Sequence, residues 1–172
     1  MPIADRFQRP PSHLFRVAHF VRSQRMSGPI ALAPAARTEY LRLMDAERLR
    51  AYLLTLPHAA ETMQWGANLV FWVGDKTIGG KMFALINLDE PTQSQAAARK
   101  PHPLISYPAG PDRFAELVEL EGLVPAPYLA RAHWIAALDY DVFTPAEWRR
   151  ELAAAHGLVL AKLPPKTRRL LK

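Results

Sequence analysis

The chain contains no cysteine. Disulfide staples, thiolate nucleophiles and cysteine-based metal sites are therefore excluded, and a reducing, cytoplasmic setting is the expectation. No run approaches the eighteen or so apolar residues that a membrane-spanning helix needs, so no membrane partner is expected. Nor is there a nucleotide-cradling loop. Gly79-Gly80-Lys81 lacks the spaced upstream glycine of a phosphate loop and joins two apolar runs instead of opening a helix.

Catalytic constellations are missing too. Among His13, His19, His58, His102, His133 and His156 no pair has the i, i+4 spacing of a metalloprotease helix, and none sits in a carboxylate cluster. No metal or cofactor is expected. Ser106 is followed by Tyr107-Pro108, which is not a nucleophile elbow. The acids Glu116, Glu119, Glu121, Glu147 and Glu151 fall at helical spacing near Arg113, Arg149 and Arg150, and read as solvated helix faces with local ion pairs. The expectation is a protein that is not an enzyme.

What is present is an ordinary core. At 172 residues, 49% apolar, with four Trp and seven Phe, the chain suffices for one domain. Acids are scarce only at the front. Residues 1–43 carry seven Arg against Asp5 and Glu39, a net of +5, whereas residues 44–172 carry fifteen Lys plus Arg against fourteen acids, a net of +1. The basic pI of about 9.9 thus describes the front end. Pro2, Pro10, Pro11, Pro29 and Pro34 punctuate the same segment. Residues 1–43 are read as a basic, Pro/Arg-rich N-terminal extension, predicted disordered. Its composition also suits a transit peptide or a nucleic-acid arm, and an upstream translation start is a further alternative, since Met44 opens a well-formed domain.

From Met44 the pattern sharpens. Asp45 can cap a helix whose apolar stripe is Leu49, Leu53, Leu54 and Leu56, ended by Pro57. His58 to Gly66 reads as a linking segment. Leu69 to Val73 and Met82 to Leu88 are apolar runs bounded by Gly74-Asp75 and Gly79-Gly80, the pattern of a hairpin or three-strand meander on which the core forms. A polar loop, Asp89 to Pro103, follows, at about fifteen residues longer than usual connections. Leu104 to Tyr107 is a predicted strand, Asp112 to Glu121 a helix stopped by Gly122, and Leu123 to Pro127 a connector. His133 to Leu138 is a further strand. Thr144-Pro145-Ala146-Glu147 is a capping box with proline at the first helical position, and Pro164-Pro165 breaks the helix that it starts. This order, without βαβ alternation, predicts an α+β fold: a single domain with a mainly antiparallel sheet and flanking helices.

Five segments carry a resemblance: LPHAAET after the first helix, the strand VFWVGDK, GGKMFALINLD, YLARAHWIAAL and the closing AKLPPKTRRLL. Together, and in this order, they make residues 44–171 resemble the MmcQ/YjbR family of small bacterial proteins. The resemblance implies a CyaY-like α+β fold, sometimes described as a double wing, and DNA binding inferred for the family from its shape. Two places depart from the common family form: Tyr107 stands near where a lysine is usual, and the Gly74–Gly80 turn is longer.

DNA is accordingly the expected ligand. Lys76 and Lys81 flank the glycine turn and could meet a phosphate backbone; solvated lysines guarding a sheet edge are the plain alternative. His133 should alternate with an inward Trp134 across a strand, leaving it outward beside Arg131 and Tyr128, a surface suited to stacking and phosphate contact. Lys162, Lys166, Arg168, Arg169 and Lys172 form the densest basic patch of the predicted domain, with complementation of a helix C-terminus as the competing explanation. The expected nucleic-acid-binding residues are Lys76, Lys81, Arg131, His133, Lys166, Arg168 and Arg169. The second reading is a small-ligand or protein-partner module using an aromatic groove near Trp65, Trp72, Tyr128 and Trp134.

Overall fold

The structure, a computed structural model, describes residues 44–89 and 101–171. The expected extension 1–43, most of the polar loop after Asp89 and Lys172 lie outside the described residues.

One helix and a meander come first. α1 (Ala46–Leu53) is capped by Asp45, whose carboxylate accepts from the Arg48 N–H at 2.8 Å. Leu49 and Leu53 are fully buried, while Leu54 is exposed. β1 (Ala59–Gln64), β2 (Asn68–Val73) and β3 (Lys81–Asn87) then form the meander, with a 3₁₀ turn at Lys76–Ile78 between the last two. β4 (Ile105–Pro108), α2 (Pro111–Leu117), β5 (Leu123–Pro125), β6 (Trp134–Ala137), α3 (Pro145–Ala161) and α4 (Pro165–Arg169) complete the domain.

The six strands form one antiparallel sheet in the order β1-β2-β3-β4-β6-β5. The α+β class and the antiparallel sheet are as expected. α3 lies against β2, β3 and β4, and the core gathers beneath it. Phe71, Phe83, Ile105, Tyr107, Trp148 and Leu152 are all fully buried there. Phe83 meets the His156 ring edge-on at 5.1 Å, and His156 Nε2 lies 2.8 Å from the Pro57 carbonyl oxygen. The capping box of α3 is complete: the Glu147 N–H donates to Thr144 Oγ1, and the Thr144 N–H donates to Glu147 Oε2 at 2.8 Å. Hydrogen bonds from the Thr144 hydroxyl and N–H hold the Glu147 carboxyl below its usual range.

Four expectations need correction. The segment after His58 is a strand, β1, although Ala-Ala-Glu-Thr-Met-Gln has low β-propensity. Pairing along all of β2 decides it, with the Trp72 indole N–H donating to Thr62 Oγ1 at 2.9 Å. The connector after Gly122 contains β5, a short edge strand closed by Pro125, which suits proline's missing donor. α2 is shorter than expected and ends at Leu117. His133 is no strand residue: at φ 56° it ends a 3₁₀ turn (Ala130–Ala132), so strand alternation does not place it. Trp134 is nonetheless the buried member of the pair and His133 the exposed one.

The glycine pair closes the β2–β3 turn by close approach. The Gly80 N–H donates to the Asp75 carbonyl at 2.9 Å. A Cβ at Gly80 would overlap the Gly74 carbonyl and stand 2.8 Å from the Asp75 oxygen, and backbone cannot yield as a side chain does. Gly80→Ala is expected to destabilise by about 2–3 kcal/mol, read by urea denaturation. An unchanged midpoint would show that the turn opens without loss.

Candidate nucleic-acid interface

Antiparallel register decides which loops meet. Val73 pairs with Lys81 and with Ala59, and Pro108 pairs with Trp134. One end of the sheet therefore collects His58, the Gly74–Lys81 turn, the Ala109-Gly110 link and the Ala126–His133 segment. The C-terminus joins them. Thr167 Oγ1 lies 3.5 Å from the Gly79 carbonyl oxygen, and the Leu171 side chain packs on Gly74. The links at this end and the C-terminal segment carry Lys76, Lys81, Arg131, His133, Lys162, Lys166, Arg168 and Arg169, against Asp75. That carboxylate is exposed and accepts the Thr77 N–H at 2.6 Å, which lowers its pKa. The described links at the opposite end carry Asp89, Glu119, Glu121, Asp139 and Asp141 and no Lys or Arg.

All seven residues expected to touch nucleic acid thus lie at one end, although the sequence offered them as three separate groups. They are not equivalent. The Lys76 ammonium folds back over the Trp72 ring, 5.6 Å from its centroid, and lies 3.4 Å from Gln64 Oε1. Arg168 Nη2 donates to the Ala161 carbonyl at 2.8 Å, closing the C-terminus of α3. Arg169 Nε donates to the Pro165 carbonyl at 3.3 Å. These are the helix-terminus roles the competing explanation anticipates. The His133 ring meets Phe114 edge-on at 5.6 Å. Lys81, Arg131 and Lys166 are exposed and make no hydrogen bond or ion pair among the described residues. They are the cations best placed to meet a phosphate.

The aromatic groove does not form as a unit. Trp65 lies in the β1–β2 turn at the acidic end, and Tyr128 projects at the basic end. Trp72 is half-buried on the sheet and Trp134 is buried against Ala126 and Ala136. Two clefts of about 490 and 470 Å³, the first beside Tyr52 and Arg149 and the second beside Ala109 and Gly157, touch none of the four.

A buried ion pair was not foreseen. Glu151, with 6% of its side chain exposed, accepts Arg113 Nη2 at 2.7 Å and Nε at 3.3 Å, linking α3 to α2. Arg113 also donates to Glu116 at 2.7 Å, and together the two carboxylates push its pKa up. The helical stripe held the clue, since Glu151 lies three residues after Trp148 and four before Ala155, on the inward side. Close by, Tyr107 is fully buried with its hydroxyl unpartnered, and burial, then the Glu151 charge, pushes that phenol up. No group of three or more His, Asp or Glu able to hold a metal occurs among the described residues. No helix among them is long and apolar enough to cross a membrane.

Such a chain defines a small α+β domain: a six-stranded antiparallel sheet backed by one long helix, with the charge of its described links divided between its two ends. A family model described as YjbR matches residues 54–158, more than half of the chain, and the chain belongs to that family. Among solved structures it is similar to Deinococcus radiodurans protein DR2400, described with the domain DUF419. That likeness has 28% identity, a TM-score of 0.58, and covers 75% of this chain and 88% of the other. No curated protein matches.

Proposed function

We propose that this YjbR-family domain is a non-enzymatic DNA-binding module of the cytoplasm that holds the phosphate backbone at the basic end of its sheet. The observation that carries the reading is the convergence of Lys81, Arg131 and Lys166, from three separate stretches of chain, on an end where the only acid in the described links accepts a hydrogen bond within its own turn. Exposed cations with no partner among the described residues break no described ion pair when they turn to phosphate, and each phosphate contact releases condensed counterions. Such contacts position DNA without reading its sequence, so binding should be largely indifferent to sequence.

Fluorescence anisotropy with a generic duplex over a series of salt concentrations tests this on the full chain and on a chain starting at Met44. Both should bind, and K81E/R131E/K166E should weaken both and flatten the salt dependence by roughly two to three in log–log slope. Loss of binding on starting at Met44 would move the activity to the seven arginines of residues 1–43 and overturn the reading for the folded domain.

A further inference from the structure

The basic end holds one feature that phosphate contact does not use. Tyr128 has φ 63°, a left-handed conformation that costs a bulky residue energy, and its side chain is as exposed as in an extended chain (104%). The Leu129 N–H donates to the Ala126 carbonyl at 3.1 Å across Pro127 and Tyr128. With proline second and a positive φ third, this is a type II turn, whose third position ordinarily belongs to glycine or asparagine. The turn is firmly held on both sides. Ala126 is buried and its N–H donates to the Trp134 carbonyl at 3.0 Å; Leu129 packs with Trp134 and accepts the Ala132 N–H at 2.9 Å. The fold therefore fixes a tyrosine in strained backbone and gains no packing from its ring. Arg131 follows three residues on, and His133, also left-handed, stands exposed against Phe114.

We infer that Tyr128 is a stacking platform for an unpaired base, so that the basic end takes single-stranded DNA in preference to duplex. The inference rests on the nucleic-acid reading of that end and specifies the form of DNA. An aromatic face in solvent beside cations that follow the backbone is the arrangement that binds single strands, because every base offers a π-face. A base inside a duplex has both faces already stacked and offers Tyr128 nothing.

The test uses the full chain, with a labelled oligonucleotide either single-stranded or annealed to its complement. Wild type should bind the single strand more tightly. Tyr128→Gly should lower single-strand affinity by roughly fivefold to a hundredfold, leave duplex affinity within about twofold, and raise Tm by a few degrees because glycine relieves the turn. Tyr128→Trp should keep the preference, and a 5-bromouracil strand should photocrosslink at position 128. Undiminished single-strand affinity in Tyr128→Gly, a fall in its Tm, or no preference in wild type would each overturn the inference. If K81E/R131E/K166E weakens duplex binding while Tyr128→Gly changes nothing, the proposed function stands and this inference falls. If wild type binds neither form, both fall.

Discussion

Trp148→Ala should cost about 4 kcal/mol, a large share of the 5–15 kcal/mol that holds a typical domain. Trp148 is fully buried in α3 and couples three parts of the core. Its ring meets Phe143 edge-on at 5.1 Å and Tyr107 at 6.1 Å, and its indole N–H donates to the Tyr140 carbonyl at 2.7 Å. Alanine removes the apolar area, leaves a cavity the size of an indole and takes away the indole donor to that carbonyl. The Phe143 and Tyr107 rings and the Tyr140 carbonyl frame the space, so collapse can recover little of it. Trp148→Phe should restore part of the packing and none of the hydrogen bond, at roughly half the loss. Urea denaturation measures both. A loss below about 1.5 kcal/mol for alanine would mean that the core repacks and that the α3 contacts are worth less than their burial implies.

The second large effect is an asymmetry within one ion pair. Arg113→Ala should destabilise by about 3 kcal/mol, and Glu151→Ala by only about 1 kcal/mol. The side chains differ in exposure, 37% for Arg113 against 6% for Glu151. Removing the arginine leaves a buried carboxylate whose remaining cation, Arg150, lies 3.7 Å away and is itself 66% exposed. Removing the glutamate leaves an arginine that already reaches water and keeps Glu116. Replacing both with apolar residues, as in Arg113→Met with Glu151→Leu, should be nearly neutral, because no uncompensated charge stays behind. Equal costs for the two alanine variants would show that water enters the α2–α3 contact.

How much of this was legible follows the physics of each segment. The runs Leu69–Val73 and Met82–Leu88, the Thr144 capping box and the Pro164-Pro165 break act locally, through propensity, backbone donors and proline sterics, and the structure carries them where the sequence put them. β1 and β5 were illegible because their strand character comes from a neighbour, Ala59–Gln64 from β2 and Leu123–Pro125 from β6. The candidate site was legible as residue types and illegible as a place. Nothing local tells that Lys81, Arg131 and Lys166 share an end; antiparallel register and the contact of Thr167 with Gly79 do. Glu151 reads as solvated from its charge alone; its position on the helical stripe, between Trp148 and Ala155, is what buries it.

The division of charge between the two ends has a consequence for approach as well as for contact. A body with a net charge of only +1 over residues 44–172 would seem indifferent to a polyanion at long range. Its described links hold their cations at one end of the strands and most of their carboxylates at the other, and on the electric moment of that charge the field of a phosphate chain exerts a torque before any surface touches. The orienting field reaches about a Debye length, roughly 8 Å at physiological salt and 30 Å at 0.01 M. Association should therefore quicken at low ionic strength more than the net charge would suggest, because more encounters arrive with the basic end leading.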